Sequence, residues 1–154
     1  MQKQINAVKE FHTAFVIGHS EIPRADLGES KNILRYNLMK EENEEYLEAV
    51  QNNDLVEIAD ALCDLQYVLS GAVLEFGLGE KFVDLFNEVQ RSNMSKACQS
   101  LEEAEYTVKF YQDKDGTEAE IKEEHGVWKV FRKSDNKVLK SINYSPADLV
   151  SILK

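Results

Sequence analysis

A chain of 154 residues with 43% hydrophobic and 30% charged side chains is expected to fold as one domain, with enough apolar residues for a real core. No apolar run approaches the ~18 residues that span a bilayer, and the N-terminal stretch mixes Lys3, Lys9, Glu10 and His12 into its apolar residues without a signal-peptide layout. The net charge of −10 excludes a general nucleic-acid binder, which needs a basic face.

The first predicted helix covers about residues 3–17, with Ile5, Val8, Phe11, Phe15 and Val16 on one side. Gly18, Pro23 and Gly28 then mark a loop, and Ser30 is expected to cap a second helix that runs to about Gln51. Gln51-Asn52-Asn53 reads as a turn, and Asp54 as the cap of a third helix reaching Phe76. A fourth helix is predicted from about Glu80 to Ala97. After about residue 100 the pattern changes. YTVKFYQ, TEAEIKEE and GVWKVFRK alternate and are rich in β-branched and aromatic residues, so they predict a three-stranded antiparallel meander turned at DKDG and HG. Trp128, Phe110, Phe131 and Tyr111 are its expected core, and Ser145-Pro146 starts a last short helix. The fold class is therefore mainly α, a four-to-five-helix bundle over residues 1–100 with a small β appendage and tail over 101–154. Cys63 and Cys98, without CxxC spacing, read as reduced core thiols of a cytoplasmic protein.

The charge is unevenly spread. Residues 105–154 balance, whereas residues 41–64 (EENEEYLEAVQNNDLVEIADALCD) hold nine carboxylates and no Lys or Arg. Glu42, Glu45 and Glu48 drift slowly around one face of the second helix, and Glu57, Asp60 and Asp64 share a face of the third. That third helix is otherwise apolar nearly all round and is expected to be buried. Counting outward from the turn at ~1.5 Å per residue sets Glu45 level with Asp60, Glu48 with Glu57–Ile58, and Glu42 with Asp64. Four to six carboxylates thus converge in one groove, where repulsion and desolvation call for a cation. An all-oxygen donor set suits Mg²⁺ or Mn²⁺. Two structural readings stand beside this one: Asp54 and Glu57 also form a capping box, and Glu41, Glu44 and Glu48 also fit a solvated face. Other site patterns fail on spacing. No His completes ExxH, the loop from Asp113 to Glu124 has Glu118 where a calcium loop requires Gly, and no phosphate-binding Gly motif is present.

The acids EExxE (Glu41, Glu42, Glu45) and ExxD (Glu57, Asp60) resemble the signature of the all-α nucleoside triphosphate pyrophosphohydrolases, which include MazG-like and phosphoribosyl-ATP enzymes. LRYNLMKEENEEYLEAV, NDLVEIADALCDLQYVLSGAVLEFGL and FNEVQRSNMSKA are similar to successive blocks of one MazG-like group, as are VKEFHTAF and KVLKSINYSPADL at its ends. The resemblance implies hydrolysis of an NTP or dNTP to monophosphate and pyrophosphate, with Mg²⁺ held by Glu42, Glu45, Glu57 and Asp60. Glu41 or Asp64 is the spare carboxylate that takes a proton from water. Asn93 and Lys96 match positions expected to contact phosphate, with Arg35, Lys140 and Tyr144 as further candidates for substrate binding. Phe11, His12 and Phe15 are placed to wall a base pocket or to pack in the core. The resemblance also implies a homodimer or higher homo-oligomer. The chain departs from the group in two places: about 40 residues separate SNMSK from the closing block, and the tail reads DNKVLKSINY where DGKVLKGPNY is usual. A non-catalytic acidic binding module of the same fold is the alternative. A histidine-pathway phosphoribosyl-ATP enzyme fits the flanking blocks less well.

Overall fold

The computed structural model describes every residue from Met1 to Lys154. Helix α1 (Gln2–Ala14) buries Ile5, Val8 and His12, three positions at helical spacing. It ends three residues short of the predicted 17, because Val16 and Gly18 turn to positive φ (57° and 82°) and His12 Nδ1 donates to the Gly18 carbonyl (2.9 Å). Helix α2 (Glu29–Gln51) follows Gly28, two residues ahead of the expected Ser30 cap. A tight turn with Asn53 at φ 54° leads into α3 (Leu55–Glu75). Asp54 caps α3 as expected, its Oδ1 accepting from the N–H groups of Val56 (3.0 Å) and Glu57 (3.2 Å). So short a connection makes α2 and α3 antiparallel neighbours, and α1 packs on α3.

The chain divides into two compact units, Met1–Val83 with Leu153, and Asp84–Ile152 with Lys154. The boundary lies inside α4 (Phe82–Met94), whereas the sequence pattern changes near residue 100. The core of the first unit is Ile5, Val8, Val73 and Leu74, with Leu78 and Phe82 packed against it. Helix α3 is buried continuously only from Ser70 to Glu75, with Ala61 the one buried residue before that stretch. Its N-terminal half is not the covered helix that its composition suggests: Leu55 is 77% exposed, Val56 74% and Leu62 50%. Nothing in this chain covers that face. Cys63 lies on it, so only Cys98 is the expected core thiol, and both cysteines are free.

The second unit corrects one predicted strand. Residues Leu101–Asp115, which include YTVKFYQ, form helix α5. The physical reason is a reciprocal cap like a capping box: Ser100 Oγ accepts from Glu103 N–H (3.1 Å), while Glu103 Oε2 accepts from the N–H of Gln99, the residue before the cap (2.9 Å). Gly116, at φ 73°, ends the helix in left-handed conformation, so DKDG is a helix terminus and not a hairpin turn. The meander accordingly has two strands, β1 (Ala119–Glu124) and β2 (Val127–Arg132), paired antiparallel with Glu124 opposite Val127. His125 and Gly126, both at positive φ (54° and 77°), supply the two-residue turn that matches strand twist. Cys98, Ala104, Val130 and Leu139 form the core of this unit, with Trp128 and Tyr111 packed on it; Phe110 instead stays half exposed. Helix α6 (Leu149–Leu153), capped by Asp148, closes the chain. The architecture is mainly α with a small C-terminal β hairpin, and no helix is long and apolar enough to cross a membrane.

Candidate active site

The α2–α3 pair carries the carboxylates. Glu42 lies half-buried on α2, and its Oε2 is a buried oxygen with no hydrogen-bond partner. Burial holds the Glu42 carboxyl above the usual carboxylate range, and Asp64, Glu45, Glu41 and Asp60 push it further in the same direction. Acids of both helices therefore act on Glu42, Asp64 of α3 most strongly among them. Asp64 is half-buried beside it, while Glu41, Glu45, Glu57 and Asp60 are exposed. Nearer the turn, Glu45, Glu48, Ala49, Asn52, Asp54 and Glu57 line a groove of about 370 Å³. Glu57 completes only half of its capping box. The N–H of Asp54 donates to Ala49 O (3.0 Å), so the Glu57 carboxylate stays free to face the groove.

No three acidic, His or Cys side chains close on a single point tightly enough to hold an ion. Five carboxylates without a counter-charge repel one another, and exposed Glu side chains swing apart at little cost. The fit to a divalent cation rests on the orphaned Glu42 oxygen, an acceptor desolvated with no donor, and on hard oxygen ligands from two facing helices.

In the second unit the predicted substrate-binding residues assemble into one basic constellation. Lys96 Nζ donates to Asn93 Oδ1 (2.7 Å), and the Lys140 ammonium sits 4.2 Å from the centre of the Tyr144 ring. The N–H of Ser141 donates to Lys96 O (3.2 Å), and Tyr144 Oη shares a hydrogen bond with Ser92 Oγ (2.9 Å). The Ser92 bond, helped by the Lys140 and Lys96 charges, lowers the Tyr144 phenol below its ordinary range against the effect of desolvation. Arg91 is occupied in fastening the tail to α4: it grips Glu88 with two nitrogens and donates to Ser145 Oγ and Pro146 O.

Arg35 stands apart. It is 7% exposed, its Nε donates to Glu75 Oε2 (2.7 Å), and it does not line the acidic groove. Lys31 reaches the other oxygen of Glu75 (3.3 Å). Gly71 makes room for the pair, since a Cβ there would stand 2.7 Å from Arg35 Nη1 and 3.2 Å from His12 Nε2. Sequence reasoning missed Glu75 because it lies 40 residues from Arg35 in the chain. It also left out Asn52 and Asp54 as groove residues, although their turn-forming types were the available signal.

Residues 8–93, more than half of the chain, match the family model of phosphoribosyl-ATP pyrophosphohydrolase. No curated protein matches the chain by sequence. The matched span contains the whole α2–α3 carboxylate set and Asn93. The chain belongs to the phosphoribosyl-ATP pyrophosphohydrolase family, of MazG-like all-α type, and is a hydrolase acting on phosphoanhydride bonds.

Proposed function

We propose that this protein hydrolyses a nucleoside or deoxynucleoside triphosphate to the monophosphate and pyrophosphate with the help of Mg²⁺, Mn²⁺ being an acceptable substitute. The observation that carries the reading is Glu42: a partly buried carboxylate with an unpartnered oxygen, facing four other acids across two helices, in a chain of pyrophosphohydrolase family. Glu42, Glu45, Glu57 and Asp60 are the residues to hold the cation. When bound, it neutralises phosphate charge and makes water a better nucleophile near neutral pH. Asp64, half-buried against Glu42, or Glu41 on the exposed side, takes the proton that water loses. Water adds to phosphorus, the P–O bond to the leaving pyrophosphate breaks, and that leaving group keeps the electron pair. Lys96 and Lys140, with Asn93 and Tyr144, supply charge and hydrogen bonds for an anionic substrate. Arg35 serves in this reading as a framework residue, because Glu75 already holds its guanidinium.

Self-association completes the picture. Leu55, Val56, Leu62 and Tyr36, between 50% and 77% exposed, form more apolar surface than one copy leaves bare at small cost, which favours a homodimer or higher homo-oligomer. A cytoplasmic location agrees with two free thiols.

The test is release of pyrophosphate from a panel of NTPs and dNTPs, with Mg²⁺, with Mn²⁺ or with EDTA, by wild type and Glu45→Gln. Phosphoribosyl-ATP, the substrate in the matched family's name, belongs in the panel. Metal-dependent turnover that Glu45→Gln abolishes supports the proposal, and no turnover of any nucleotide with either metal refutes it.

A further inference from the structure

A second polar cavity, of about 160 Å³, lies in the first unit and is lined by Gly18, His19, Arg24, Leu27, Lys31 and Glu75. Its charge opposes that of the protein as a whole. Arg24 and Lys31 line it, Arg35 lies beneath through Glu75, and the single carboxylate of Glu75 is already shared by Arg35 and Lys31. Three cations against one carboxylate leave two positive charges in excess, in a chain of net charge −10. Arg24 makes no side-chain hydrogen bond or ion pair, so its guanidinium is available to a ligand. His19 Nε2 meets Glu21 Oε1 (3.0 Å), an acid that Lys9 Nζ also holds (2.9 Å).

The cavity wall is built rather than loose. The loop before α2 is pinned to the end of α3 by Ser20 N–H to Leu74 O and Arg24 N–H to Phe76 O, both 3.0 Å. Ile22 O lies where a Cβ on Gly77 would be 2.1 Å away, so only glycine, at φ 70°, allows the loop to seat. Lys31 and Glu42 are eleven residues apart on α2, about 16 Å along the helix axis, so this cavity is separate from the acidic groove.

We infer that this cavity binds a phosphate group, with Arg24 and Lys31 as its charged donors. A dianion matches two excess positive charges, and the guanidinium fork suits tetrahedral oxyanions. The group has two sources: free inorganic phosphate, or a phosphate ester on the nucleotide at the end remote from the scissile triphosphate.

Inorganic phosphate titrated into the full chain, followed by the Gly18 amide and His19 ring signals in NMR spectra, tests the site without any need for hydrolysis. A saturable shift is expected, weakened about tenfold in Arg24→Gln, the loss of one charge-assisted hydrogen bond. Arg24→Gln removes no contact within the fold, and an unchanged amide spectrum elsewhere checks that. No saturable shift, or equal affinity in the variant, overturns the inference. Kinetics then separate the sources. A phosphate-dependent change in turnover of plain NTPs, lost in Arg24→Gln, marks the free ion. A KM advantage for nucleotides with a second, remote phosphate, lost in the same variant, marks the ester.

Discussion

Glu75→Gln is expected to be the most damaging single change to the first unit outside the carboxylate set of the acidic groove. The Arg35 and Glu75 side chains are 8% and 5% exposed and meet at 2.7 Å. Removing one partner of a buried ion pair strands the other charge and costs about 3–5 kcal/mol. The substituted amide still offers one acceptor to Arg35 Nε, which places the loss at the lower end, about 3 kcal/mol. That is a large share of a typical stability of about 5–15 kcal/mol. Lys31→Met removes only the half-exposed arm at 3.3 Å and is expected to cost less than about 1 kcal/mol. Urea unfolding read by far-UV circular dichroism should show a midpoint lowered by about 1–2 M with an unchanged slope. The single tryptophan, Trp128, lies in the second unit, so its fluorescence is the internal control. Acid adds an independent test. Burial opposes ionisation of Glu75, but the bonds from Arg35 and Lys31 outweigh it and hold the carboxyl below its usual range. A lowered folded-state pKa gives stability that is present above the ordinary carboxylate value of about 4.3 and is lost as pH falls through the folded value. Wild type should therefore lose stability below that pH more steeply than Glu75→Gln. A midpoint within error of wild type, together with an identical acid limb, would refute the buried-pair argument.

Other outcomes follow from the same geometry. In EDTA, Glu42→Gln should raise thermal stability by about 1 kcal/mol, since it removes a desolvated, unpartnered anion; melts with and without Mg²⁺ should also show the metal-induced stabilisation of wild type disappear. Lys96→Met should raise the nucleotide KM about tenfold while leaving the melting curve in place, because the Lys96 side chain bonds only to Asn93, three residues earlier. Ser100→Ala removes the cap of α5 and should cost the second unit about 1 kcal/mol, seen as an earlier transition in Trp128 fluorescence.

The parts of the fold that were readable from sequence are those governed by short-range chemistry. Asp54, a tight turn and acids at spacings of three and four residues fix the α2–α3 hairpin and the level of Glu42 with Asp64, and the structure couples those two groups as the count requires. Helix α5 shows the opposite case. The alternation from Tyr106 to Tyr111 imitates a strand, yet Ser100 with Glu103 at one end and Gly116 at the other are complete helix punctuation. Terminal chemistry outweighed the interior pattern there, because Tyr106 and Phe110, 56% and 49% exposed, sit on the outside of the helix and bury no alternating face.

Arg35 marks the boundary of what a single sequence reveals. Its helical phase, two turns before Glu42, points it along the acidic line, and an anionic substrate supplies an apparent reason for a cation there. The competing partner, Glu75, is 40 residues away, and no local spacing announces it. Yet the count that sets Glu42 level with Asp64 also sets Arg35 level with Gly71, the one position of α3 that lacks a side chain. A Cβ at that position would meet the guanidinium at 2.7 Å. A glycine within an apolar helix, level with an arginine on its neighbour, is the sequence signal of a buried cation; the carboxylate one turn further on, Glu75, then follows as the charge that must accompany it.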